Sequence, residues 1–175
     1  MLKPGDDAPP FDLPCAFDDG ISHLSLDGIR SEMIVLFFYP HDFSFICPTE
    51  VIAFHKLQPA FKQEHTSLVG VSVDDAETHR RWARELGGLS YPLLADPDAR
   101  LARSFGAFDE SDRVAMRATF ILDNRRKIVY AVASSVNVGR SVAETLRVVR
   151  AFRTGRPCPV DWQPGDEMGP ADLKY

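Results

Sequence analysis

Cys47 sits in the stretch Phe37 to Val51, FFYPHDFSFICPTEV, with the Ser44 hydroxyl three residues before it and Pro40 further upstream. Pro48 follows directly and suits the first turn of a helix, where its missing N–H is not needed. A thiol at a helix N-terminus can act as a nucleophile, provided that it ionises. An isolated thiol has a pKa of about 8.5, so only a few per cent is thiolate at neutral pH. Bringing such a group to about 6 takes roughly 3.4 kcal/mol of preference for the anion. A helix N-terminus supplies ~0.3–1 kcal/mol, and at best ~2. A cation must therefore stand beside the sulfur. Even full ionisation multiplies the thiolate only ~30-fold, and nucleophilicity falls as the pKa drops. For a substrate with a weak O–O bond, the larger gain has to come from donors aimed at the oxygens as the S–O bond forms. One helical turn brings the Ser44 hydroxyl near the sulfur, and Pro40 can wall the site against water. Equally, Ser44 can cap the helix and Pro40 can simply end the preceding strand.

The elements that must hold this thiol are written in the apolar pattern. Met33 to Phe38 is a continuous apolar run, too short for a membrane span, and reads as a fully buried strand. After Cys47, Val51, Phe54, Leu57 and Phe61 recur at helical spacing. Ser67 to Val73 predicts a second strand, Asp74-Asp75 a helix start and Gly87-Gly88 its stop near Leu86, which completes a βαβ unit. Tyr91 to Ala95 is a short segment and Asp98 to Phe105 a short helix. Arg117 to Asp123 and Lys127 to Ser135 are strands joined by the turn residues Asp123-Asn124, hence antiparallel. Arg140 to Arg153 closes the core as a helix, with Val142, Leu146 and Val149 on one face and Val148 and Phe152 beside it. Upstream, short strands around Phe11 to Leu13 and Ile21 to Leu24, with a turn at Asp18-Asp19-Gly20, predict a hairpin laid against the main domain. This order predicts an α/β, thioredoxin-like fold with a mixed central sheet flanked by helices. Residues 1–154 form that domain. From Gly155 onward seven Gly or Pro among the last 21 residues predict an extended C-terminal arm, which carries Cys158 between two prolines.

Length and charge bound the function. A chain of 175 residues with 45% apolar content has room for one compact domain with a substantial core. A net charge of −5, with no basic cluster interleaved with aromatics, argues against nucleic acid as a partner. The amino end, MLKPGDDAPPFDLP, has no apolar core of a signal sequence and reads as neither signal peptide nor anchor, so we expect a cytoplasmic protein without a membrane partner. Three cysteines do not suggest a disulfide framework; in a reducing compartment a thiol is more often catalytic, redox-active or merely buried.

Pro40-x-x-x-Ser44-x-x-Cys47 within FYPHDFSFICPTEV resembles the active-site signature of the typical two-cysteine peroxiredoxins, in their alkyl hydroperoxide reductase C-like branch. The resemblance continues in GVSVDDAETHRRWARELGGL, MRATFILD, VGRSVAETLRVVRAF and CPVDWQPGD, and so spans nearly the whole chain. It implies that Cys47 is the peroxidatic cysteine, that Arg117 favours the thiolate and binds peroxide, and that Ser44 and Pro40 shape the pocket. Ser44 stands where the family usually has threonine, keeping the hydroxyl and losing the methyl that helps fix its rotamer. Glu50 and Arg140 resemble residues that orient the arginine through a charged hydrogen-bond network. Cys158 resembles the resolving cysteine, which attacks the sulfenic acid of a partner subunit, and Trp162 resembles a tryptophan packed beside the arm. The implied activity is reduction of hydrogen peroxide and organic hydroperoxides, with regeneration by thioredoxin or another dithiol and no cofactor. The implied assembly is a homodimer that can form a ring of five dimers, to which Phe38, Phe43 and Phe45 are candidate contributors, although apolar residues in such places are more often core.

Some residues depart from this pattern or say little. Members prone to inactivation by peroxide carry GGLG and a C-terminal Tyr-Phe; here Gly87-Gly88-Leu89 precedes Ser90 and the tail reads MGPADLKY, so we expect resistance to overoxidation. Cys15 reads as a packing cysteine. His23, His41, His55, His65 and His79 form no HxxxH pattern and no CxxC exists, which makes zinc binding a poor reading, and His41 reads as a solvated loop residue. Two other functions compete. A thioredoxin-like disulfide oxidoreductase would need a local dithiol, yet CPTE ends in Glu50. A ring-forming holdase chaperone is compatible with catalysis.

Overall fold

The computed structural model describes residues 1–172. Among these the elements are, in chain order, β1 (Asp12–Phe17), β2 (Gly20–Ser25), β3 (Met33–Phe38), α1 (Cys47–Gln63), β4 (Thr66–Ser72), α2 (Ala76–Glu85), β5 (Leu93–Ala95), α3 (Arg100–Ser104), β6 (Phe108–Asp109), β7 (Val114–Ala115), β8 (Arg117–Leu122), β9 (Ile128–Ser134) and α4 (Val142–Arg153). Strands in the order β2-β1-β5-β4-β3-β8-β9 make one mixed sheet. Its centre, β3, β4 and β5, is parallel and linked by α1 and α2, while β8 and then β9 run antiparallel on one flank. This is the thioredoxin-like α/β arrangement that the pattern predicts, with most element ends shifted by a residue or two and β1 running four residues beyond the expected Leu13. The two-residue strands β6 and β7 form a small separate ribbon with no clear sequence signal.

One expectation is corrected. The β1–β2 hairpin is not laid against the domain; β1 pairs with β5 through Cys15 and Ala16 and makes the hairpin an edge of the central sheet. Its turn is tight because Asp18 and Asp19 both take left-handed backbone, φ 49° and 61°, which matches the twist of the paired strands. Local pattern fixes such a hairpin but not the strand it joins.

The alternation of β3 divides the core. Ile34, Leu36 and Phe38 face one cluster with Phe105 and Phe120, whereas Met33, Val35, Phe37 and Tyr39 face the other with Val51, Phe54 and Phe61 of α1 and Val142, Leu146 and Val149 of α4. Phe37 stacks on Phe54 with ring centroids 4.1 Å apart, and each such buried ring contributes ~1.5–3 kcal/mol. Phe38 is thereby core and not an assembly surface, since its ring packs at 5.4 Å from Phe105. Phe43 and Phe45 are exposed, Phe45 to 93%, and on α4 Val148 is half-buried while Phe152 is exposed. Beyond Thr154 the described residues form turns without a helix or strand. Within them Trp162 is buried and its Nε1–H donates to the Asp166 carbonyl at 3.3 Å. The last residues of the tail MGPADLKY, 173–175, lie outside the described residues.

Candidate active site

Cys47 opens α1, and its sulfur is fully buried. Ile46, at the cap position, offers no side-chain acceptor, so the Cys47 N–H donates instead to Ser44 Oγ at 3.3 Å. The Ser44 side chain thus meets the helix start through the backbone, as a cap would. Pro40 is buried just after β3. On β8, Arg117, Thr119 and Ile121 alternate onto one face, and antiparallel pairing with β3 brings the Arg117 end of β8 to where the chain leaves β3 for α1. Arg117 Nη1 lies 3.3 Å from Cys47 Sγ and donates to Glu50 Oε2 at 2.7 Å, while its Nε donates to the Val136 carbonyl at 2.8 Å.

Glu50 lies one turn after Cys47 and is also buried. Its Oε1 accepts from the Arg140 backbone N–H at 2.8 Å and from Nε at 3.0 Å. Arg140 in turn donates to Thr119 Oγ1 at 2.9 Å, to the Ala118 carbonyl at 3.1 Å and to the Phe38 carbonyl at 2.5 Å, with its guanidinium 5.3 Å from the Phe37 ring centroid. Burial pulls Arg140 below its ordinary pKa and Glu50 opposes that pull; the guanidinium stays charged. Two guanidinium groups and one carboxylate sum to +1 in a dry site. A negative charge of one in their midst would bring the sum to zero.

The structure therefore brings Cys47, Arg117, Glu50 and Arg140 into one contact network, with Ser44 joined through the backbone. Cys158 is elsewhere. It is half-buried beside the C-terminal end of α4, with Sγ 3.4 Å from Thr154 Oγ1, and is a free thiol like Cys47 and Cys15. Cys15 packs in the core with Sγ 3.3 Å from Ser22 Oγ. No second thiol follows Cys47 locally; the residue three positions on is Glu50, which pairs with the two arginines.

Sequence reasoning missed Thr119, which strand alternation from Arg117 would have placed on the same face. It also missed a polar knot behind the loop that leads into α1. Tyr39 OH donates to Asp42 Oδ1 at 2.8 Å, His79 Nδ1 lies 2.8 Å from Asp42 Oδ2, and the Asp42 N–H donates to Asp74 Oδ2 at 2.9 Å. His79 Nε2 faces the Leu94 carbonyl at 3.0 Å and must be its donor. Burial pushes the Asp42 carboxyl up, against its bond to His79. This knot ties the loop to α2 and holds Phe43 in left-handed backbone, φ 53°. Asp42, Asp74 and His79 are clustered closely enough to suggest a cation site, yet His79 already bonds Asp42, and Asp74 accepts from the Asp42 N–H and the Ser72 hydroxyl; no sequence spacing announces a contact across 37 residues. His41, beside the knot, is exposed.

The model of the AhpC/TSA family matches residues 4–131. The chain belongs to the AhpC/TSA family. Peroxiredoxin 2 of Drosophila melanogaster is 36% identical over 94% of this chain and 90% of its own. The reduced 2-Cys peroxiredoxin of Plasmodium vivax superposes with a TM-score of 0.89 at 30% identity, over 96% of this chain and 93% of that one. For AhpC of Mycobacterium tuberculosis the TM-score is 0.85 at 32% identity, over 93% and 99%. This is a 2-Cys peroxiredoxin of the AhpC-like type, and hence a thiol peroxidase. No helix of the peroxiredoxin's described residues is long and apolar enough to cross a membrane.

Proposed function

We propose that Cys47, as the thiolate, attacks the terminal oxygen of hydrogen peroxide or an organic hydroperoxide. An S–O bond forms, the O–O bond breaks, and the leaving oxygen takes a proton to depart as water or alcohol. Arg117 donates to the sulfur and to the reacting oxygens, Ser44 and Pro40 shape the small pocket, and Glu50 and Arg140 hold Arg117 in place. The observation that carries this reading is the Arg117 Nη1 to Cys47 Sγ contact of 3.3 Å inside a buried cluster that only a thiolate makes neutral.

The Cys47 sulfenic acid then condenses with the Cys158 thiol of a second copy, releasing water, and an external dithiol such as thioredoxin reduces the disulfide. Two copies are needed on this reading because Cys47 is buried at the start of α1 while Cys158 sits against the far end of α4 in residues 155–172, which act as a resolving arm. The free edge of β9, with Val132, Val136 and Val138 exposed in and just after it, supports a homodimer, and exposed Phe43 and Phe45 support further assembly into a ring of dimers. Three free thiols fit a reducing compartment such as the cytoplasm.

Peroxide-dependent NADPH oxidation coupled to a thioredoxin system should be lost in Cys47→Ser. After one equivalent of peroxide, a non-reducing gel should show a linked dimer that disappears in Cys158→Ser. Peroxidase activity surviving in Cys47→Ser refutes the proposal, and aggregation protection in that same variant would identify a holdase function independent of the chemistry.

A further inference from the structure

The sheet has a gap beside β4, and one proline makes it. β5 is only three residues long and pairs with β4 solely from Gly70 to Ser72, although β4 starts at Thr66. The His65 and Val71 carbonyls accept from Met33 and Tyr39, so odd-numbered residues face β3. The Gly70 N–H donates to the Pro92 carbonyl and the Ser72 carbonyl accepts from Asp96, so even-numbered residues face β5. The next rung in that ladder belongs to Leu68. Its carbonyl would accept from the N–H of residue 92, which is proline and has none. The ladder stops there. Among the described residues, the Leu68 N–H and carbonyl have no hydrogen-bond partner on that side, although Leu68 is only 3% exposed. Buried peptide groups are rarely left so, because each unmade bond costs ~1–3 kcal/mol.

The gap opens into a cavity of 390 Å³ between the β1–β2 hairpin, β4 and the side of α1, a volume at the small end of ligand sites. Leu24, Ile29, Leu68 and Tyr91 give it apolar walls. Arg30 and Lys62 also line it; both are exposed, neither forms an ion pair with a described residue, and no carboxylate lines the cavity. An open peptide rung is matched by an amide, apolar walls by a hydrocarbon side chain, and two unpaired cations by a carboxylate.

We propose that this cavity binds a small amphipathic carboxylate that also carries an amide, of the class of N-acylated apolar amino acids. The amide completes the Leu68 rung, the side chain fills the apolar space and the carboxylate meets Arg30 and Lys62. The site is separate from the Cys47 cluster and shares no residue with it.

Isothermal titration of the reduced full-length chain with N-acetyl-L-phenylalanine tests this, with N-acetyl-L-phenylalaninamide, which lacks the charge, and 3-phenylpropanoate, which lacks the amide, as comparators. The acid should bind, and each comparator should bind at least about tenfold more weakly. Arg30→Ala combined with Lys62→Ala should weaken the acid at least about tenfold and leave the neutral amide unchanged, with the urea midpoint of the protein retained. Leu24→Trp, which fills the cavity, should abolish binding of all three. Absence of binding up to about 10 mM, equal affinity for the acid and the neutral amide, or an unaltered affinity in the double variant each overturns the proposal.

Discussion

Replacing Arg117 by glutamine separates activity from stability in a way that the buried charges dictate. The guanidinium is 3.3 Å from the sulfur and 2.7 Å from Glu50, and all three groups are dry. Removing one preorganised donor from a reacting centre raises the barrier by ~2.7–4 kcal/mol. The second-order rate constant with hydrogen peroxide should therefore fall about 10²- to 10³-fold. Charge acts in the same direction, because without Arg117 the ionised site carries −1 where the intact one carries zero. Stability should suffer far less. With the sulfur protonated, the variant cluster of Arg140 and Glu50 is neutral, and Glu50 keeps its bonds of 2.8 and 3.0 Å to Arg140. Glu50→Gln is the opposite case: the two buried guanidinium groups keep at most the sulfur as a counter-ion, +1 in sum with a thiolate and +2 with a thiol, which should cost ~3–5 kcal/mol. Stopped-flow reaction of prereduced protein with excess peroxide gives the rate constants, and urea unfolding of the same preparations gives the stabilities. A rate constant for Arg117→Gln within about threefold of wild type, or a larger loss of stability in Arg117→Gln than in Glu50→Gln, would refute the reasoning.

Three further outcomes follow from other sites. The Asp96 carboxyl is held above its ordinary 3.8 chiefly by burial, with the Ala102 and Leu101 N–H groups opposing. The folded state keeps a proton that the unfolded chain has released, so from the ordinary value up to the raised one stability falls as pH rises. Urea melts from about pH 4 upward should show the wild-type advantage over Asp96→Asn shrinking with pH, and an advantage that grows would contradict the sign. At Gly70 an added Cβ would meet Leu93 Cδ2 at 2.7 Å and Phe37 Cζ at 2.9 Å, so Gly70→Ala should cost ~1–3 kcal/mol; an unchanged urea midpoint would show that the core yields there. Ser90 replaces the last glycine of the GGLG segment and bonds His55 of α1 through both its hydroxyl, at 3.0 Å, and its N–H, at 3.2 Å. Mass spectrometry during turnover with graded peroxide should find Cys47 mostly as disulfide, and abundant sulfinate at modest excess would count against resistance to overoxidation.

What the sequence made legible follows the range of the interactions. The apolar run of β3 and the helical spacing of α1 are local, and they located Cys47 at a helix start before any contact was visible. The arginine was reached in two steps: energetics demanded a cation, and only the resemblance picked Arg117 from among the others. Thr119 was within reach, since it shares a strand face with Arg117. Contacts that join distant segments were not. Nothing near Asp42 names His79 as its partner, and nothing in the hairpin names β5. The assembly role weighed for Phe38 failed for a related reason: an aromatic run tells of burial somewhere, while the face it occupies depends on the strand's register.

The buried cluster around Cys47 also makes the protein's own oxidation a mechanical event. Attack on peroxide spends the sulfur's negative charge, and neither a sulfenic acid nor a disulfide restores it. The same Arg117, Arg140 and Glu50 that would balance a thiolate are then left, buried, with one positive charge too many. On the proposed cycle, the packing that suits the reduced enzyme would carry an unbalanced charge after the chemistry, and opening the first turn of α1, where the sulfur sits, would relieve it. On that cycle, the reduced state should consequently be the more rigid of the two around Cys47.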